Sequence, residues 1–146
     1  MIPRFQRILL PVDFTPKNES ALEVARELAT QYDATISLIH VIETINLPED
    51  DELRDFYSEL EKRSRTQLVA FANRFDEAKT PVDQEVRFGH RAEEIVGFTL
   101  EQAIDLIVMS SHPIDPDTPM RNWNTLSHQV SLLCTCPILL VKSVTD

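Results

Sequence analysis

The segment RILLPVDFT, residues 7–15, indicates the fold class most directly, because a short run of branched apolar residues is followed at once by an aspartate. Four more apolar runs follow along the chain: TISLIHV (35–41), the more polar PVDQEVRF (81–88), DLIVM (105–109) and PILLVK (137–142). Near-continuous apolar runs are typical of strands that are buried on both faces of a sheet. The five runs therefore predict five strands, each buried on both faces.

Between these runs, apolar residues recur at the spacing of a helix face, which predicts four helices. The first two cover 18–32 and roughly 51–77, the third is marked by Ala92, Ile95, Val96 and Leu100, and the fourth by Leu126, Val130 and Leu133. Strands that alternate with helices form right-handed crossover units and a parallel sheet. We therefore expect an α/β protein with one domain, residues 1–146, built on a doubly wound parallel sheet.

The charge balance limits the partners that the protein can have. With 14 Lys and Arg against 24 Asp and Glu, the formal net charge is −10. An acidic protein is a poor partner for nucleic acid and for an anionic membrane surface. The apolar runs are much shorter than the ~20 residues of a membrane-spanning helix, and the run after the basic start is too short for a signal peptide. A cytoplasmic protein is the resulting expectation.

The scarcity of glycine excludes the common phosphate-binding loops. The chain has two glycines, Gly89 and Gly97, which lie eight positions apart and precede no Lys-Ser or Lys-Thr pair. A dinucleotide fingerprint needs three glycines and a Walker A loop needs two in one short run. Any phosphate site in this protein must therefore be built without a glycine-rich loop.

Open α/β sheets bind ligands outside the carboxyl ends of their strands. The first, second and fourth runs end in Pro11-Val12-Asp13, His40-Val41-Ile42 and Met109-Ser110-Ser111. At such a position Asp13 could accept a hydrogen bond from an exocyclic amine. It could equally cap nearby backbone N–H groups, which the spacing alone favours.

Other candidate chemistry is weakly supported, so no catalytic residue and no metal site is expected. Ser110-Ser111-His112 lacks the G-x-S-x-G pattern of a nucleophile elbow. The four histidines show no metal-ligand spacing. Cys134-x-Cys136 could serve redox or metal chemistry, but one such pair is a weak signal, and a small buried thiol is the preferred interpretation of Cys136.

Five segments, in order, resemble the universal stress protein (UspA-type) family over nearly the whole chain: ILLPVDF (8–14), LIHVIE (38–43), GHRAEEIV (89–96), DLIVMSSH (105–112) and CPILLVK (136–142). The resemblance implies one universal stress domain over 1–146 and a five-stranded parallel sheet in the order 3-2-1-4-5, flanked by helices. It also implies a homodimer that is joined through the last strand, at Ile138, Leu139, Leu140 and Val141.

The family has an ATP-binding branch, and the resemblance implies where its ligand would lie. The adenine positions fall on Asp13 and Val41, and their neighbours fall on Pro11, Val12 and Met109. The branch's phosphate motif, G-x-x-G-x9-G-S/T, falls on Ser110, Pro113, Asn124 and Thr125, with a spacer one residue too long. Only Thr125 keeps the motif's residue type.

These replacements disfavour a triphosphate. Pro113 has no N–H to offer to phosphate oxygens. Asp115 and Asp117 add negative charge that repels phosphate unless a cation such as Mg²⁺ bridges them. The helix start near 122–125 could still attract an anion, although simple capping by Asn122 or Asn124 is favoured.

Two functional hypotheses remain. In the first, the protein is a non-enzymatic stress-response or regulatory homodimer with unidentified protein partners, no cofactor and no tight ATP binding. In the second, it binds ATP or AMP, with Mg²⁺, as a nucleotide-gated switch or a slow ATPase. Binding of AMP or adenosine alone would use the adenine positions without the triphosphate loop.

Overall fold

The computed structural model describes residues 4–44, 51–111 and 125–142. Strands and helices alternate along these ranges, as the apolar runs predict. In chain order they are β1 (Arg7–Pro11), α1 (Asn18–Tyr32), β2 (Thr35–Glu43), α2 (Asp51–Asn73), β3 (Val82–Gly89), α3 (Arg91–Glu101), β4 (Leu106–Ser111), α4 (Leu126–Leu133) and β5 (Ile138–Lys142). No helix in the described ranges is both long enough and apolar enough to cross a bilayer.

The strands form one parallel sheet in the order β3-β2-β1-β4-β5, which confirms the expected topology. β1 is central: Ile8 lies opposite Ile36 of β2 on one side and Leu106 of β4 on the other. Four of its five residues are buried. β1 is therefore the middle strand of the sheet, and the chain that follows it must leave at the carboxyl end of the strand.

Alternate residues of the central strands point into two separate cores. Ile8 and Leu10 pack with α1 and α2, whereas Leu9 packs with α3 and α4. On β4, Val108 belongs to the first core and Ile107 to the second. This is the doubly wound arrangement, with helices on both faces of a parallel sheet.

Burial on both faces, expected for all five runs, is wrong for the two edge strands. β3 buries only Val86, and β5 has no fully buried residue. Each has a single neighbour in the described sheet, so part of its surface faces away from the cores. The acidic and polar residues of β3 agree with this position.

The second helix ends earlier than predicted, at Asn73 rather than near 77. A series of turns follows, in which the N–H groups of Arg74 and Phe75 bond the carbonyls of Phe71 and Ala72. These turns direct the Phe75 ring fully into the core. Phe75 thus satisfies the apolar pattern of a helix without lying on one.

One substitution tests how α2 is attached to the sheet. Within this helix only Ser64 and Leu68 are buried, and Leu68 is 1% exposed. Leu68→Ala should lower the free energy of unfolding by about 2–5 kcal/mol, since it leaves a cavity in the core. Urea unfolding followed by circular dichroism measures this change.

The neighbouring Val69 provides the control, because it lies on the same helix and is 48% exposed. Val69→Ala should change the free energy of unfolding by no more than about 0.5 kcal/mol. Equal losses in the two variants would contradict this attachment of α2.

Candidate functional site

A cavity of about 70 Å³ opens where β1, β2 and β4 end. We call it the crevice and define it by its lining residues: Pro11, Val12, Asp13, Asn18, Ile39, His40, Val41, Arg91, Ile95, Met109, Ser110 and Leu126. The structure therefore brings together, in one cavity, the sequence-predicted residues Pro11, Val12, Asp13, Val41, Met109 and Ser110. They meet because parallel strands present their carboxyl ends at the same edge.

The crevice has an apolar interior and a polar rim. Val12, Val41 and Met109 are each at most 5% exposed and form part of its wall. Asp13 and Arg91 are exposed and bring charge to its mouth. Its volume is small beside the ~300–1,000 Å³ of sites for drug-sized ligands. The enclosed space therefore suits one fragment of a ligand, with the remainder held outside.

Asp13 stabilises its own loop. Its Oδ1 atom accepts hydrogen bonds from the backbone N of Thr15 at 3.0 Å and from Thr15 Oγ1 at 2.6 Å. Both bonds go to the same carboxylate oxygen, so Thr15 does not use Oδ2. The expected capping role is thus present, and it leaves the second oxygen outside the Thr15 turn.

The charge on Asp13 is held by its surroundings. Partial burial raises the pKa of Asp13, but the two hydrogen bonds from Thr15 and the positive charges of Lys17 and Arg91 outweigh that effect and place it below the ordinary value. At neutral pH the side chain is therefore a carboxylate, which only accepts hydrogen bonds.

The amide of Asn18 connects three segments around the crevice. This side chain is buried, and its Oδ1 accepts from the backbone N–H groups of Asp13 at 3.0 Å and Phe14 at 2.9 Å. Its Nδ2 donates to Ser110 Oγ at 3.2 Å, and that hydroxyl donates to the Lys17 carbonyl at 3.1 Å. Ser110, predicted as a phosphate-loop position, thus uses its hydroxyl to fix the end of β4 against α1.

His40 supports the same loop from β2. Its Nδ1 lies 2.8 Å from the Val12 carbonyl, which can only accept, so Nδ1 carries the hydrogen. The ring also contacts the Phe14 ring, with centroids 4.4 Å apart. Burial lowers the pKa of His40 and outweighs the opposing bond to Val12, while Arg91 lowers the pKa further and Asp13 raises it. His40 is therefore a neutral structural group at physiological pH.

Sequence reasoning missed Arg91 as a site residue. It is the first residue of α3 and follows the carboxyl end of β3, so its position in the chain could have placed it at the edge where the crevice lies. Arg91 Nε is 3.8 Å from Glu43 Oε1, and both side chains are about half exposed. An exposed ion pair of this kind contributes only about 0–1 kcal/mol. The guanidinium can therefore turn toward an anionic ligand at little cost.

The described part of the predicted phosphate loop consists of Ser110 and Thr125, since Pro113 and Asn124 lie outside the described residues. α4 begins at Leu126 and its N-cap is Thr125, whose Oγ1 accepts from the backbone N of His128 at 3.3 Å. The residues that were expected to cap this helix, Asn122 and Asn124, lie outside the described residues, and in the described part of the chain Thr125 is the N-cap. Threonine is itself a good N-cap residue.

Comparison with known proteins gives a consistent result. The model of the Universal stress protein family matches residues 4–142. Universal stress protein YxiE of Bacillus subtilis (strain 168) is 29% identical over 151 residues, which cover 94% of this chain and 99% of the relative.

Solved structures share the fold. The hypothetical protein MJ0577 aligns with a TM-score of 0.85 at 21% identity, covering 99% of this chain and 100% of that one. A universal stress protein from Archaeoglobus fulgidus in complex with dAMP aligns with a TM-score of 0.68 at 16% identity, covering 94% of this chain and 98% of that one.

The lowered pKa of His40 predicts a pH dependence of stability. Because the folded-state pKa lies below the ordinary 6.5, the unfolded chain takes up the proton first as pH falls. The contribution of neutral His40 is therefore complete above about pH 7.5 and decreases as pH falls through about 6.5 toward the folded-state value. Urea unfolding at about pH 7.5 and about pH 5.5 measures the decrease.

His40→Asn is the matched variant, since the asparagine Nδ2 can take the place of His40 Nδ1 as the donor to the Val12 carbonyl but does not titrate. Its free energy of unfolding should fall less over the same pH range than that of the wild type. The same pH dependence in both proteins would show that His40 does not carry the effect.

Proposed function

The chain belongs to the universal stress protein family, and we propose that it is a non-enzymatic stress-response or regulatory protein whose crevice binds an adenine nucleoside monophosphate in preference to ATP. The observation that carries this proposal is that one cavity, the crevice, is lined by Pro11, Val12, Asp13, Val41 and Met109 together. These residues come from three different strand ends. Asp13 and Val41 match the family's adenine positions, and Pro11, Val12 and Met109 match the neighbours of those positions.

The crevice offers what an adenine ring requires. Val41 and Met109 supply apolar surface for the ring faces, and both are almost fully buried. The Asp13 carboxylate lies at the mouth and can accept a hydrogen bond from the exocyclic amine. Such a bond to a charged acceptor contributes about 1.5–3 kcal/mol, which is enough to select adenine over a base that presents a carbonyl there.

The surroundings favour one phosphate over three. Arg91 provides a cation at the rim that an exposed ion pair holds only weakly. In the sequence, Pro113 removes a donor from the predicted phosphate loop, and Asp115 and Asp117 add negative charge to it. The Archaeoglobus fulgidus neighbour holds dAMP, which is a monophosphate.

The hydroxyl of Ser110 supports a non-enzymatic role. It donates to the Lys17 carbonyl and accepts from Asn18 Nδ2. A nucleophilic serine needs a general base as its hydrogen-bond acceptor, and a backbone carbonyl is not one. Ser110 therefore serves the shape of the crevice.

ATP with Mg²⁺ is the second candidate ligand, and one observation favours it. Thr125, the retained residue of the phosphate motif, caps α4, and the adjacent Leu126 lines the crevice. The first N–H groups of a helix can bind an anion. On this alternative the protein is a nucleotide-gated switch or a slow ATPase.

Calorimetric titration with AMP, adenosine and ATP·Mg²⁺ tests the proposal. We expect AMP to bind at least about tenfold more tightly than ATP·Mg²⁺, a difference of about 1.4 kcal/mol. Adenosine should bind more weakly than AMP, because it offers Arg91 no anion. Tighter binding of ATP·Mg²⁺ would favour the second candidate, and no heat with any of the three would refute both.

Asp13→Asn isolates the base contact. Asparagine keeps an oxygen for the Thr15 bonds but places an amide nitrogen where Oδ2 was, so it cannot accept from the exocyclic amine. AMP affinity should fall by about 10-fold or more, which corresponds to the loss of one charge-assisted hydrogen bond. Asp33→Asn, on the exposed C-cap of α1, is the control and should leave AMP affinity unchanged.

We also propose that two copies associate through β5. In the described sheet β5 pairs only with β4, so its outer backbone edge is available to another strand. Leu139 and Leu140 on this strand are 40% and 42% exposed. An apolar edge strand with unpaired backbone groups favours pairing with a second chain.

Sedimentation velocity at micromolar concentration tests this assembly. The wild type should sediment as a dimer, and the double variant Leu139→Lys/Leu140→Lys should be monomeric, because lysine at an edge opposes strand pairing. Leu132→Lys/Leu133→Lys is the matched control, since these α4 side chains are even more exposed, at 72% and 55%. A monomeric wild type, or equal effects of both double variants, would exclude association through β5.

A further inference from the structure

Two cysteines lie in the short connection between α4 and β5, outside the crevice. Cys134 is the C-cap of α4, and Cys136 precedes Pro137 at the entry to β5. Both are free and partly buried, and their Sγ atoms are 3.4 Å apart. We propose that Cys134 and Cys136 form a reversible dithiol–disulfide site that low-molecular-weight disulfides oxidise.

The backbone on both sides keeps the two sulfurs close. The N–H of Cys134 donates to the Val130 carbonyl at 2.9 Å, which fixes the first cysteine to the end of α4. The carbonyl of Pro137 accepts from the Ile107 N–H at 3.0 Å, which fixes the residue after the second cysteine to β4. The sulfurs must approach from 3.4 Å to the ~2.05 Å of a disulfide bond. Closing that gap requires rotation of the two side chains and adjustment of the intervening turn.

This position suits a switch better than a structural role. A disulfide between these residues closes a loop of three residues, and the stabilisation from a disulfide grows with loop length. A tight ring also stores strain, which makes the bond easier to reduce. In the part of the chain that the structure describes, no group of three or more metal-binding side chains assembles, whereas a structural zinc site needs four ligands.

The two thiols have different parts in the reaction. Burial, the hydrogen bond with Cys134 and negative charge on Cys134 raise the pKa of Cys136 to about 12. At neutral pH Cys136 therefore remains a thiol, which assigns the first attack to Cys134. Cys136 is the resolving residue.

The oxidation proceeds by two exchanges. The Cys134 thiolate attacks one sulfur of the small disulfide, whose S–S bond breaks, and the departing thiolate takes a proton. Cys136 then loses its proton and its sulfur attacks Cys134 Sγ, which forms the protein disulfide and releases the second small thiol. The two cysteines lose two electrons and two protons, and the small disulfide gains them as two thiols.

The first exchange also prepares the second. Once Cys134 is in the mixed disulfide it carries no charge, so one cause of the high pKa of Cys136 is removed. The sulfurs are already in contact, and an intramolecular attack from such a position has a high effective concentration. The mixed disulfide should therefore be short-lived.

Equilibration of the full chain in a series of glutathione redox buffers tests the site. After acid quenching, the free thiols are alkylated and the peptides are analysed by mass spectrometry. Trypsin releases both cysteines in one peptide, residues 122–142, and these are the two cysteines of the chain. We expect this peptide to lose two hydrogen atoms as oxidised glutathione increases, without a glutathione adduct, and to regain both alkylatable thiols when reduced glutathione is restored. Two alkylatable thiols at every ratio, a stable adduct on the wild type, or disulfide-linked dimers would overturn the proposal.

The two serine variants assign the roles. Cys136→Ser should accumulate the glutathione adduct on Cys134, because the resolving thiol is absent. Cys134→Ser should form its adduct more slowly, because partial burial, the largest cause of the raised pKa of Cys136, remains in this variant and lowers its thiolate fraction. Equal adduct rates in the two variants would overturn the order of attack. These outcomes do not depend on nucleotide binding, so they can be separated from those of the proposed function.

Discussion

The buried amide of Asn18 holds the crevice in shape, and the geometry of the other site residues depends on it. Its oxygen accepts both N–H groups that follow the end of β1, at Asp13 and Phe14. Its nitrogen reaches Ser110 at the end of β4. These N–H groups are only partly buried, so the loss of Asn18 would cost at most about 1–3 kcal/mol for each N–H left unpaired. An apolar residue at this position would leave both N–H groups without this acceptor. This loss would destabilise the conformation of the loop that follows β1.

The same contacts explain an unusual backbone at Phe14. Its φ is +64°, in the left-handed region that residues with a side chain seldom adopt. The bond from the Phe14 N–H to Asn18, together with contacts of its ring with His40 and Phe71, stabilises this conformation. The reversal of direction at Phe14 lets the chain leave the central strand and enter α1 within a few residues, which leaves the mouth of the crevice open between β1 and β4.

The central sheet could be predicted from the sequence because β1, β2 and β4 carry continuous apolar runs that only a doubly covered sheet can bury. The exposure of the two edge strands, β3 and β5, was harder to predict. Their sequence patterns were interpreted like those of the central strands, but each has only one neighbouring strand, and exposure depends on position in the sheet. Asp13, Val41 and Met109 could be placed at the candidate site from the sequence, because each lies at or near the carboxyl end of a strand. Asn18 was missed because its amide bonds, to Asp13 and Phe14 nearby and to Ser110 far along the chain, depend on the conformation of the loop after β1. Arg91 was missed although its place after the carboxyl end of β3 indicated the correct edge of the sheet. Thr125 was missed as the N-cap of α4 because several residues in that segment are of types that can cap a helix, and helix boundaries depend on packing.

The crevice lies at the carboxyl ends of the strands and the cysteine pair lies at their amino ends. One short helix, α4, connects the two sites. β4 ends at the crevice with Ser110 and Ser111, whereas β5 runs parallel to it and begins beside Ile107, at the amino end. α4 extends between these ends: Leu126 at its first turn lines the crevice, and Cys134 is its C-cap. Its eight helical residues span only about 12 Å. Val130, in its middle, is fully buried in the core that α4 shares with α3, so the packing around this residue holds the helix against the sheet between the two sites.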